Sequence, residues 1–204
     1  GHTVVTVSAA YEDEWAEEVR GIAARLGATQ EWLDFEEGAI FDDPPHSQAI
    51  MDLLRRHKAD VVITHQPTDY HPDHRALSRA VLSACLLARV DEIESDHEPH
   101  KVGNLFYSET TSGLNSQGSI YVDVDETWEL KVEALRLHAG LSVRRGVAHL
   151  ESIEHLIERE IATMRFRGLQ VEREYCELFA PALNYRVTWA HDLLPLATLP
   201  PIEE

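Results

Sequence analysis

Short apolar runs alternate along this chain with stretches whose apolar residues recur at helical spacing. Thr3 to Ser8 (Thr-Val-Val-Thr-Val-Ser) is rich in β-branched residues and predicts a strand. Tyr11 to Leu26 puts Trp15, Val19, Ile22, Ala23 and Leu26 on one helical face. Glu12, Asp13 and Glu14 stand near its start, where the helix dipole favours anions, and Gly27 stands just past its end. Glu31 to Phe35 predicts a short strand, followed by an acidic loop over 36–45 that ends in Pro44-Pro45. His46 to His57 predicts a helix with Ile50, Leu53 and Leu54 inward. Val61-Val62-Ile63-Thr64 is an uninterrupted apolar run, the pattern of a strand covered on both faces.

Arg75 to Val90 is again helical, with Leu77, Val81, Leu82, Cys85, Leu86 and Leu87 as apolar positions. Asn104 to Tyr107 and Ser119 to Val122 predict two more strands. Between them Thr110 to Gly118, rich in Thr, Ser, Gly and Asn, is a loop long enough to cover a site. Asp123 or Asp125 is placed to cap a helix running to about His138, and Arg145 to Arg167 predicts a last helix stopped by Gly168. Tyr175 to Tyr185 is aromatic, and from Ala190 onward Leu and Pro follow no helical or strand period. Strand and helix in regular alternation predict an α/β domain with a largely parallel sheet.

Length adds that 204 residues fit one domain, 1–204, with a sizeable core. A net charge of −18 argues against nucleic acid or an anionic membrane as partner, since phosphates must be met by clustered Lys and Arg. The scattered acidic loop residues Glu36, Glu37, Asp42 and Asp43 read as solvated surface. Cys85 and Cys176 make no disulfide framework, and no apolar run approaches the ~20 residues that span a bilayer. The expected setting is reducing and cytoplasmic. A homo-oligomer is compatible with the sequence, which carries no phosphate-binding glycine loop and no serine-centred elbow.

Candidate chemistry gathers after the Val61–Thr64 run, where Asp69, His71, Asp73 and His74 fall within six residues just before a helix. Ligands of open α/β sheets bind outside the carboxyl ends of the strands. Imidazole is a common transition-metal ligand, and its second nitrogen is usually held by a carboxylate or carbonyl. Pro72 fixes the backbone between the two histidines. Asp73 also suits a helix cap. Tyr107 and Glu109, after the next strand, are placed either to line a pocket mouth or simply to pack there.

The run Asp69-Tyr70-His71-Pro72-Asp73-His74-Arg75 after Val61–Thr64 resembles the LmbE-like, or PIG-L-like, zinc-dependent N-deacetylases. Gly1 to Val7 resembles that family's second strand. Lys131, Ala134 and His138 resemble its Lys-x-x-Ala-x-x-x-His helix. Met164 to Gly168, with Tyr175 to Phe179, resembles its closing segment. The resemblance implies a Rossmann-like fold, a zinc cofactor and a small-molecule N-acetyl amino-sugar conjugate as substrate. It implies His74 as zinc ligand and His71 as the group that stabilises the oxyanion or protonates the leaving amine. Asp73 would tune His71, and Asp69 would hold the loop.

The family's first strand ends in Ala-His-Pro-Asp-Asp-Glu, which supplies two further zinc ligands and the general base. That motif does not occur in these residues. Catalytic zinc takes about three protein ligands. The expectation is therefore an enzyme active only when an upstream segment completes the site. The alternative is a non-catalytic binding or assembly module with a vestigial site. His65 is a substitute ligand by position, although a strand-end histidine is more often a packed one. Trp15 stands where the family has a substrate-binding Arg, and Gly140-Leu141 where it commonly has Ser-Gln.

Overall fold

A computed structural model of the chain describes residues 1–10, 13–110, 113–114, 116–144 and 150–182. The elements run β1 (Val5–Ala10), a 3-10 turn (Asp13–Trp15), α1 (Ala16–Arg25), β2 (Thr29–Phe35), α2 (Pro44–His57), β3 (Val61–Thr64) and α3 (Pro72–Leu87). There follow β4 (Asn104–Ser108), β5 (Ile120–Asp123), α4 (Trp128–Arg144), α5 (Leu150–Leu169) and β6 (Cys176–Pro181). The fold is α/β and Rossmann-like, with helices flanking the strands. The apolar and aromatic positions expected beyond Ala182 lie outside the described residues, as does the predicted start of the last helix at Arg145.

The strands form two groups. β1 and β2 pair in parallel, and a four-stranded sheet has the order β3-β4-β6-β5. β3 and β4 are parallel, whereas β6 runs antiparallel to both β4 and β5. The parallel character predicted from strand-helix alternation therefore holds for β1 to β4. It ends where the α4-α5 hairpin returns the chain to the sheet in the opposite direction.

Local chemistry sets the element ends. Asp43 caps α2, its carboxylate accepting from His46 N at 3.1 Å, and Pro44 and Pro45 occupy the first helical turn. There a missing N–H costs nothing, so the helix starts two residues earlier than the apolar spacing predicts. Lys58 ends it in the left-handed region at φ 49°. α1 starts later than predicted, after the 3-10 turn, and Gly27 at φ 70° closes it. α3 begins at Pro72, inside the His/Asp cluster, with His71 rather than Asp73 as its cap. Asp123 ends β5 and accepts from Asp125 N at 2.9 Å, while Asp125 accepts from Tyr175 N at 2.6 Å and ties the entry of α4 to the start of β6.

Two apolar clusters hold these layers. Ile50, Met51 and Leu54 of α2 pack on Val81, Ala84 and Cys85 of α3 and on Leu105 of β4. Val132 and Ala139 of α4 pack with Ile153, Ile157 and Met164 of α5 and with Tyr175. At the α5-β6 junction the chain folds so tightly that a Cβ on Gly168 would meet Glu174 O at 2.6 Å. The first cluster covers only one face of β3. Val61 and Ile63 are 43% and 57% exposed, so the prediction of a strand covered on both faces fails. Within the described residues β3 bonds only β4 and stands at a sheet edge, which leaves its second face and outer edge open.

Candidate metal centre

The chain leaves β3 at Thr64 and turns at once, with Asp69 N donating to Gln66 O at 3.1 Å. The Asp69 carboxylate, 5% exposed, accepts from His71 N at 2.8 Å and so folds the loop back on itself. Arg75 fixes the same turn from the helix side, its guanidinium donating to Asp69 O at 2.9 Å and Tyr70 O at 2.8 Å. His71 Nδ1 accepts from Asp73 N at 3.2 Å. That bond leaves the neutral ring with its proton on Nε2, a donor available to a ligand.

This turn brings His65, Asp69 and His74 together. One ligand atom from each lies within 4.8 Å of the others. The rings of His65 and His74 stack at 3.9 Å and 2°, and His71 lies 4.7 Å from His74. His74 Nδ1 stands 3.2 Å from Asp69 Oδ2, yet it is buried without an aligned hydrogen bond. The distance pairs the two atoms, while their directions do not. Imidazole nitrogen and carboxylate oxygen left facing each other this way suit a shared cation better than a proton. Burial, then the charge of His74, push the pKa of His65 down to about 4, against a smaller opposing effect of Asp69. Its ring is thus neutral at pH 7, as a metal requires.

Asp73, 7% exposed, reaches His71 through its backbone N–H only. Its carboxylate accepts from Gly38 N at 2.8 Å and pins the turn between β2 and α2 against the cluster. The four residues singled out in sequence, Asp69, His71, Asp73 and His74, thus lie in one place. Asp69 stands among the potential ligands as well as holding the loop. His65 joins it there, and Arg75 is the loop clamp that sequence reasoning missed. An arginine beside the motif looks like the first residue of a solvated helix until the carbonyls it meets are known.

The cluster opens into a cavity of about 480 Å³ whose walls include Val7 to Ala10 of β1, Trp15, Trp32, Glu37 and His138. Of the family-like Lys-x-x-Ala-x-x-x-His residues, His138 lines this cavity and Ala134 is buried. Lys131 faces a second, smaller cavity of about 200 Å³, 2.5 Å from both Glu160 and Glu177. Burial works against the Lys131 charge, but Glu177 and Glu160 outweigh it and hold its pKa above the ordinary value. Glu109 lines the smaller cavity and is gripped by Arg167, whose Nε donates to its two oxygens at 3.0 and 3.2 Å.

Fold and cluster together define an α/β protein with a candidate metal site at the carboxyl end of a strand. The GlcNAc-PI de-N-acetylase (PIG-L) family matches residues 7–85 of this chain. Three solved structures share its fold. A conserved protein of Thermus thermophilus superposes with a TM-score of 0.77 at 22% identity, over 91% of this chain and 84% of that one. The 4-carboxy-2-hydroxymuconate hydratase GalB of Pseudomonas putida gives 0.75 at 19% identity, over 92% and 86%. The N,N'-diacetylchitobiose deacetylase of Pyrococcus horikoshii gives 0.71 at 18% identity, over 94% and 78%. No curated protein sequence matches the chain. Among the described residues no helix is long and apolar enough to cross a membrane.

Proposed function

We propose that this protein is a zinc-dependent hydrolase that removes an N-acyl group, acetyl foremost, from an amino-sugar-containing small molecule. The observation that carries this is the buried, unbonded His74 Nδ1 facing Asp69 beside a neutral His65, at the wall of a large cavity. Two imidazoles and one carboxylate make a donor set that suits zinc. His74 would hold the ion, with Asp69 and His65 as the partners the loop supplies. Zinc bound there would polarise an amide carbonyl and make water a nucleophile near neutral pH.

The remaining work falls to the chain's own side chains. His71 offers its Nε2 proton to the oxygen that gains charge, or to the departing amine. Asp73 positions that ring through its backbone N–H and steadies the turn carrying Gly38. The edge of β3 that is unpaired among the described residues and the cavity wall along Val7 to Ala10 support an added strand between β3 and β1. In this account such a strand, expected upstream from the family pattern, completes the ligand set and supplies the general base. Two free, buried cysteines suit a reducing, cytoplasmic setting.

A hydratase function like that of the Pseudomonas enzyme would need cations to hold a polycarboxylate. No Lys or Arg is among the described residues that line the cavity. The competing account is a non-catalytic binding module. Acetate release from a panel of N-acetylglucosaminides by the full-length, zinc-loaded protein separates the two. His71→Ala is expected to slow turnover by about 10²-fold or more while leaving the metal bound. Full activity in that variant would remove His71 from the chemistry, and no release from any substrate would favour the binding module.

A further inference from the structure

Among the described residues no Lys or Arg lines the large cavity. Its described walls are apolar side chains such as Val19, Ile40, Leu77 and Leu141, the indoles Trp15 and Trp32, the histidines, Asp73 and Glu37. Asp73 is already bonded to Gly38 N. Three described cations of the neighbouring elements are already engaged. Arg20 lies over the Trp32 ring at 4.8 Å and pairs with Glu17. Arg75 donates to two backbone carbonyls. Lys131 sits between two glutamates in the other cavity.

Glu37 is different. It belongs to the acidic loop between β2 and α2, it is exposed, and it lines the cavity. The Gly38–Asp73 bond fixes the adjacent backbone, so the stretch of loop that carries this carboxylate is anchored beside the site. A net charge of −18 over the whole chain adds to the negative potential there.

We propose that this cavity selects its substrate by charge, resting on the hydrolase function argued above. It admits N-acyl compounds whose non-reacting part is uncharged or cationic and presents a sugar or other ring face to Trp15 and Trp32. It rejects phosphorylated or carboxylated ones, and Glu37 is the residue that reads the charge. Among the described lining residues no Lys or Arg offers a second anionic group a partner, and the histidines are grouped at the reacting end.

Three matched ligands test this by calorimetric titration of the full-length, zinc-loaded protein at low salt: methyl N-acetylglucosaminide, its 6-phosphate, and the 2-aminoethyl glycoside. The phosphate is expected to bind about tenfold more weakly than the neutral compound, and the gap should shrink as salt screens it. Glu37→Gln should narrow that gap by about two- to threefold and weaken the aminoethyl compound. A phosphate that binds as tightly as the neutral ligand overturns the proposal, as does failure of all three to bind. An unchanged gap in Glu37→Gln overturns the role of Glu37. If the binding order holds but no acetate is released, the charge selection stands and the hydrolase function fails. Release that favours the phosphate does the reverse.

Discussion

Burial makes His65 a neutral ligand-grade imidazole, and the same burial has a thermodynamic consequence. Its pKa lies near 4 in the folded protein against 6.5 in the unfolded chain. Between those values the unfolded state binds the proton and the folded state does not. Stability therefore falls as pH drops from 6.5 towards 4, and it is unaffected by this group above 6.5. Urea midpoints of the metal-free protein should follow that course, and His65→Asn should flatten it. An unchanged slope in the variant would contradict the burial of this ring. Asp69, His71, Asp73 and His74 were legible in sequence because their spacing sits in one loop. The place of Asp69 among the potential ligands was not, because it depends on a turn that Arg75 closes from the next helix.

At the scale of elements, α2 and α3 are locked by one buried cation. Arg55, 2% exposed, donates to Ala88 O at 3.0 Å, Val90 O at 2.6 Å, Ile93 O at 3.1 Å and His97 O at 3.4 Å. These carbonyls follow the end of α3, where unpaired acceptors and the negative end of the dipole gather. Arg55→Met should cost about 3 kcal/mol in urea unfolding, because a fan of charge-assisted bonds is lost and Ile93 O and His97 O lose the donor they share, although Ala88 O and Val90 O keep His100 N and Ile93 N. Arg55→Lys should recover little, since one ammonium cannot span the fan that a guanidinium reaches. A loss below about 1 kcal/mol would show that water or neighbouring donors replace it. In sequence this residue sits in Leu-Leu-Arg-Arg-His and looks like a solvated helix end. Periodicity located every helix core and the strands β1 to β5 among the described residues, but not β6, whose residues read only as an aromatic stretch. It missed the starts of α2 and α3, where proline in the first turn extends a helix into an apparent loop. It also missed the reversed direction of β6, which only tertiary packing sets.

For the whole molecule, two strand groups meet around a single chemical feature. β1 lines the cavity and the chain leaving β3 brings His65 to its wall, yet the two strands belong to separate sheets. The α4-α5 hairpin closes the second core and places His138 on the cavity wall. The PIG-L family match over residues 7–85 and the placement of the His65, Asp69 and His74 cluster support the proposed account, a metal held at the end of β3. The most direct measurement is zinc content of the full-length protein after equilibration and removal of free metal. About one zinc per chain is predicted. It should be lost in His74→Ala, weakened in Asp69→Asn, and retained in His71→Ala. A protein that takes up no zinc, or one whose zinc survives His74→Ala unchanged, would contradict the account.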